Sequence, residues 1–403
     1  MPSVSEMANN VFVMDNGGST IKAGYSTDSK PKLIPNFVAK AKNERRRAFV
    51  GSQIEECKDF SGLFYALPFT RGFLDNWEVE KQVWDHIFGS DMYNVNFNDT
   101  CLIATEPHFN FVALKEAMIE VIFESLEFNS LYLTNSTTLT AYKSQKQNPS
   151  DLCSLVVESG YSFTHFAPYI KSKKIFNNVC RLSLGGKALT NHLKEVISYR
   201  QLNVMDETYV VNQIKEDVCY VSTDVDKDLE TASLRGKENT IVRDYVLPDY
   251  TVIKRGYVRP LEETNGKPKE NEQLIRMNNE RFMIPEMLFH PSDVHLRNMG
   301  IPEAIIHCIS LCPEEVQPHL YKNIILTGGN ACLPGFRDRV YEDVRKEAHH
   351  LFDVRVTLPE NPATDAWEGG AMICNDPEFS KLVVTRKQYE ENGLGFCLEK
   401  FSS

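Results

Sequence analysis

The sequence predicts an α/β protein built on an internal duplication, and three observations carry that reading. Residues 11 to 25, VFVMDNGGSTIKAGY, run apolar into Asp15 and Asn16, turn through Gly17 and Gly18, and resume as an extended segment. That is strand, tight turn, strand. Residues 154 to 169, SLVVESGYSFTHFAPY, repeat the pattern, with Glu158 in the place of Asp15 and Gly160 in that of Gly17. Each copy is followed by alternating strand and helix patterns, as in TCLIATEP at 100 to 107 and the helical stretch from Phe111 to Glu127.

The remaining elements follow in order. Trp77 and Trp84, in DNWEVEKQVW, are spaced to lie near one helical face, and packing explains them. From Gly186 to Val221 apolar positions recur mostly at three and four, which predicts two helices of a peripheral subdomain. Asp224, Asp226 and Asp228 imitate the start of a calcium loop, but Leu229 replaces the needed glycine and Arg235 the bidentate glutamate. This reads as a solvated acidic turn. Residues 254 to 276 hold Gly, Pro and near-balanced charge with little apolar periodicity, and read as an inserted surface loop. Cys308 and Cys312 share a helix face beside His307 without a second ligand pair, so packing is the better reading, and His349-His350 reads as surface. Residues 323 to 336, NIILTGGNACLPGF, run an apolar strand into Gly328 and Gly329, the pattern of a ligand-facing turn.

Composition narrows the class. At about 150 residues per domain, 403 residues suggest two or three domains. With 44 Lys and Arg against 55 Asp and Glu the net charge is −11, so nucleic acid would have to be met through a local basic patch. Ten cysteines without a paired rhythm point to a reducing compartment. The start, MPSVSEMANN, lacks a basic and an apolar region, and no window nears the roughly 18 apolar residues that span a bilayer, so neither secretion nor membrane insertion is expected. No Gly-x-Ser-x-Gly elbow or Cys-His signature supports nucleophilic catalysis.

The glycine turns carry the chemistry. Backbone N–H groups grip phosphate, and a glycine turn lets the backbone approach without Cβ interference. Ser19 and Thr20 add hydroxyls, Lys22 adds positive charge, and Asp15 and Glu158 are the residues that a hydrated Mg²⁺ on those phosphates requires. One such hairpin alone reads as an ordinary β-hairpin. Two related hairpins with a later Gly-Gly turn are far more specific.

On these segments, together with SGLFYALPFTRGFLDNWEVEKQVWDHIF, IKEDVCYVS, NERFMIPEMLFHPSDV, MGIPEAI and AWEGG, the chain resembles the actin superfamily over nearly its whole length. Within it, the resemblance is to nuclear members. It implies an actin-like fold of the actin, hexokinase and heat-shock ATPase clan: two duplicated α/β lobes around a central nucleotide cleft, with smaller peripheral subdomains. The implied boundaries are 1–37 with 79–148 and 365–403 for the first lobe, 149–184 with 297–364 for the second, and 38–78 and 185–296 for the small subdomains. In actins the hairpins clamp the phosphates of ATP, and the third turn with a Lys-Glu pair holds the adenosine. The resemblance carries that role to Asp15, Gly17, Gly18, Ser19, Thr20 and Lys22, to Glu158, Ser159 and Gly160, to Gly186, Lys215 and Glu216, and to Gly328, Gly329 and Asn330.

The departures matter as much. Gly18-Ser19 reverses the family's order, Glu158 replaces an aspartate, and Tyr161-Ser162 replaces an Asp-Gly pair, putting a ring where backbone should approach phosphate. The glutamine that orients the attacking water in actin aligns with Ser136, which is too short for the task, although His165 remains. Loss of a nucleophile-positioning residue costs about 10²–10⁴ in rate, so negligible hydrolysis is expected. Lys215, Glu216 and Gly328-Gly329 argue for a retained ATP pocket, with Mg²⁺, whereas Tyr161 argues for weakened phosphate contact.

The loop through which actins polymerise is compressed to VAKAKNERRRAFVGSQ, so filament formation is not expected. Its Lys40, Lys42, Arg45, Arg46 and Arg47 read equally as a solvated loop or as a DNA or histone contact. The insertion at 254 to 276 reads as a surface loop or as a partner-specific arm with Arg255, Tyr257 and Arg259 as anchors. The resemblance favours the arm. It implies a non-catalytic nuclear subunit of a Swr/SRCAP-type chromatin-remodelling complex, docked with a zinc-HIT-type protein on a Snf2-type ATPase that exchanges a variant histone into nucleosomes. The alternatives are an active ATP-dependent enzyme of the clan, such as a sugar kinase, and a polymerising cytoskeletal actin.

Overall fold

The computed structural model describes residues 10–40, 47–57, 63–249, 252–264 and 272–402. Two sheets organise it. The first places Val11–Asn16 between its hairpin partner Thr20–Tyr25 and the parallel strand Cys101–Glu106, with Ser130–Asn135 and Val384–Thr385 beyond one side and Lys32–Pro35 beyond the other. The second places Cys153–Ser159 between its hairpin partner Thr164–Ile170 and the parallel strand Ile324–Thr327. The two hairpins are register-equivalent: Asp15 pairs with Lys22, and Glu158 with His165. Val11–Asn16 and Cys101–Glu106 are buried at every position, which is why their apolar runs do not alternate.

Each sheet has its own core. Phe12, Trp84, Phe123 and Trp367 sit in the first, and Phe166, Leu193, Ile305 and Phe336 in the second. Helix Ser136–Gln147 lies between them, with Leu139 in the first core and Ala141 packed with Val156 and Tyr169 of the second sheet. Helix Asp365–Ile373 crosses it at two glycines, and a Cβ on Gly369 would stand 2.2 Å from Leu139 O. Trp77 and Trp84 meet edge-to-face at 5.7 Å.

The helical region resolves into Gly186–Arg200 and Thr208–Val218. Two readings differ from the structure. The acidic segment is no turn: Asp224 caps helix Val225–Ser233 by accepting from Lys227 N at 3.1 Å, and Asp226 and Asp228 lie in its first turn, where negative charge complements the helix dipole. The inserted segment is not wholly loop either. Tyr257–Val258 and Leu274–Met277 flank Arg243–Val246 in a three-stranded sheet, and residues 265–271 of the insertion lie outside the described residues.

A smaller sheet, Ala48–Val50, Val38–Lys40 and Phe64–Ala66, covers Phe37, Phe49 and Ile54. Tyr209, from helix Thr208–Val218, stacks on Tyr65 of this sheet at 6.2 Å and 21°, so the two small units touch. Of the basic run, Lys42, Arg45 and Arg46 lie outside the described residues. Lys40 is exposed, while Arg47 is paired with Glu56 and lies 4.9 Å from the Phe49 ring centroid. No described helix is long and apolar enough to cross a membrane.

Candidate functional site

The carboxyl ends of the central strands of both sheets face a cleft of about 410 Å³. All of the candidate nucleotide residues line it except Ser159. At the first hairpin, a Cβ on Gly17 would stand 2.6 Å from Thr20 O, so the turn admits only glycine there. Asn36, fully buried just after strand Lys32–Pro35, holds the turn from behind by donating to Gly17 O at 3.1 Å. Asp15 accepts from Thr105 Oγ1 at 2.8 Å and pairs with Lys22 at 3.3 Å. Asn16 donates to Glu80 Oε1 at 2.7 Å. Burial pushes the Glu80 carboxyl up to about 7, with the Asn16 hydrogen bond opposing.

At the second hairpin, Glu158 accepts from Ser136 Oγ at 2.5 Å and lies 3.4 Å from His165 Nδ1. Burial works against its charge, but His165, Ser136 and Lys22 outweigh that and hold the carboxyl below its usual range. His165 is itself shifted down by burial, so the imidazole is neutral near pH 7 and Glu158 carries the charge. Ser136 and His165 thus occupy both oxygens of Glu158.

Ser159 departs from its expected role. Strand alternation turns it away from the cleft, where it meets Thr164 at 3.0 Å and accepts from Asn330 Nδ2 at 3.0 Å. Asn330 lines the cleft but spends its amide on Ser159 and on Gly160 O at 2.8 Å, pinning the third turn to the second. Gly328, at φ +90°, comes so close that a Cβ would stand 2.3 Å from Ser159 O. Gly329 has open space on its Cβ side.

Lys215 also departs from expectation. Its ammonium donates to Gly186 O at 3.2 Å, Thr190 Oγ1 at 3.0 Å and Asn212 Oδ1 at 2.9 Å, so all three protons are committed inside the protein. Glu216 is exposed, accepts from Asn212 at 2.7 Å and lines the cleft. The N-terminal donors of helix Gly186–Arg200 are likewise engaged: Gly186 N bonds Gly160 O at 3.0 Å and Lys187 N bonds Tyr161 O at 2.7 Å.

Between the hairpins the walls meet. A Cβ on Gly18 would stand 3.2 Å from Ser162 Oγ, and one on Gly72 would stand 2.0 Å from Phe163 Cε1. Arg181 lies between the rings of Phe73 and Phe163, at 4.7 and 4.6 Å, and donates to Arg71 O at 3.3 Å. The donor set fits a nucleoside at the Glu216 and Gly329 end. It fits phosphate less well, since Tyr161, Ser162 and Phe163 narrow the gap, and both acidic residues already have partners that Mg²⁺ would have to displace. Asn16, Thr105, Glu106, Cys332 and Pro362 also line the cleft. The sequence reading missed Thr105 and Glu106; their place at the carboxyl end of the strand TCLIATEP, parallel to that of Asp15, was the signal that could have found them.

The expected partner anchors divide. Arg255 is exposed and pairs with Asp217 at 2.9 Å, and Tyr257 is 41% exposed. Arg259 is no anchor: its side chain is 3% exposed and is paired with Glu272. The segment folds back on itself there.

Two duplicated α/β lobes that close paired glycine hairpins over a cleft define the actin class. The family model described as Actin matches residues 6–402, and the chain belongs to the actin family. Within the family it is similar to Actin-related protein 6 of Drosophila melanogaster, 43% identical over 96% of this chain and 98% of that protein. It is also similar to Actin-related protein 6 of Oryza sativa subsp. indica, at 36% over 97% and 98%, and to that of Arabidopsis thaliana, at 34% over 97% and 99%.

Proposed function

We propose that this actin-related protein is a non-catalytic nuclear subunit of a Swr/SRCAP-type chromatin-remodelling complex. It scaffolds a Snf2-type ATPase and a zinc-HIT-type subunit during exchange of a variant histone. The observation that carries the non-catalytic reading is Glu158, both of whose oxygens are engaged by Ser136 and His165. Ser136, which stands where a water-orienting side chain would be needed, spends its hydroxyl proton on Glu158. ATP, if held, contributes binding energy to the folded state, with Glu216 at the ribose end and Ser19, Thr20 and Lys22 at the phosphate end.

Arg255 and Tyr257 support docking through the small three-stranded sheet, since both are exposed beside its edge strand. The test is affinity purification of the tagged full chain from nuclear extract beside a double variant, Arg255→Ala with Tyr257→Ala. The intact chain is expected to bring down the Snf2-type and zinc-HIT-type proteins, and the variant several-fold less. An intact chain that recovers neither defeats the scaffold reading. Phosphate release at an actin-like rate, abolished by Glu158→Ala, defeats the non-catalytic one.

A further inference from the structure

A cluster of thiols lies against the second sheet, on the edge strand Cys180–Leu182, where Cys180 pairs with Phe166. Helix Ile301–Ser310, which carries Cys308, packs over this strand and over Thr164–Ile170. Cys308 Sγ donates to Asn178 O at 3.2 Å, and Cys180 Sγ lies 3.8 Å from the same oxygen. Strand and helix thus bring both sulfurs against one carbonyl oxygen. One helical turn on, Cys312 Sγ receives Asn178 Nδ2 at 3.2 Å and contacts Cys308 O at 3.5 Å. All three are free thiols, yet Cys308 and Cys312 are buried and Cys180 is partly exposed.

The pair is chemically unequal. The neighbouring Cys308 lowers Cys180 to about 7, whereas Cys180 and burial raise Cys308. A partly exposed thiolate beside a protonated thiol is the arrangement of an attacking and a resolving cysteine.

We propose that Cys180 and Cys308 form an intramolecular disulfide on exposure to hydrogen peroxide, with Cys180 reacting first. The Cys180 thiolate attacks a peroxide oxygen; an S–O bond forms, the O–O bond breaks, and hydroxide leaves. The resulting sulfenic acid is then attacked by the Cys308 sulfur. An S–S bond forms, the S–O bond breaks, and water leaves with the Cys308 proton. Peroxide gains two electrons and the thiol pair loses two. The bond ties the edge strand to its covering helix, and the next residue on that strand is Arg181, which bridges the cleft walls.

The test treats the full chain with limiting peroxide, alkylates it, and maps non-reduced peptides by mass spectrometry. A Cys180–Cys308 cross-linked peptide is expected before any oxidation of Cys332, although Cys332 is the exposed thiol. Cys180→Ser should abolish the cross-link and Cys312→Ser should keep it. Oxidation of Cys332 with Cys180 and Cys308 still reduced overturns the proposal. So does accumulation of Cys180 sulfinic acid with Cys308 free. Both outcomes are read on the unmutated chain, so neither depends on how a variant folds.

Discussion

Glu80 is fully buried behind the first hairpin and holds Asn16 in place. Its carboxyl is shifted from 4.5 to about 7, so between those values the folded state binds more proton than the unfolded state. Its stabilising contribution is therefore fully present below pH 4.5 and is lost as pH rises through 7. A shift of that size corresponds to about 3 kcal/mol at most. Glu80→Gln keeps an oxygen for Asn16 and removes the ionisation. Denaturant melts should show it more stable than the parent at pH 8, with the advantage gone by pH 4; a gain independent of pH would contradict the assignment. At the same scale, Arg259→Ala removes the cation from its buried pair with Glu272 and should cost about 3–5 kcal/mol, the value for breaking a buried pair. Arg255→Ala removes an exposed pair and should cost below about 1 kcal/mol. If the two variants melt alike, the burial contrast has no energetic meaning. These residues look equivalent in KRGYVRP, and only the partner supplied by Glu272 separates them.

Elements were legible in proportion to their local signals. The two glycine hairpins and the Gly328-Gly329 turn announce themselves because an apolar run that ends in a polar residue and glycine has few other conformations. Tyr257–Val258 is too short for periodicity to reveal, and it becomes a strand only because Arg243–Val246 offers it an edge. The direction of Ser159 was within reach, since strand alternation sends it opposite to Glu158. The commitment of Lys215 was not, because Thr190 and Gly186 come from a separate helix. Gly369 belongs to this scale. With a Cβ 2.2 Å from a helical carbonyl that cannot shift alone, Gly369→Ala should destabilise by at least about 1–3 kcal/mol. Unchanged melting would mean that the helices separate more readily than their packing suggests.

At the scale of the molecule, contact between the small units depends on the Tyr209–Tyr65 stack and the Phe37 ring, 6.0 Å from Tyr209. Tyr209→Ser should leave both large cores intact while raising amide exchange in Val38–Lys40 and Phe64–Ala66 several-fold, measured by hydrogen–deuterium exchange. Exchange confined to Thr208–Val218 would place the two units in independent motion.

Arg181 gives the molecule a second fastening. Helix Ser136–Gln147 already joins the lobes through their cores, and the guanidinium against Phe163 reaches across to Phe73, which meets Phe111 of the first lobe at 4.9 Å. A joint pinned at one place swings, but one pinned at two carries load. Opening the cleft at this point would have to pull the guanidinium off one of its two rings as well as bend the helix joint.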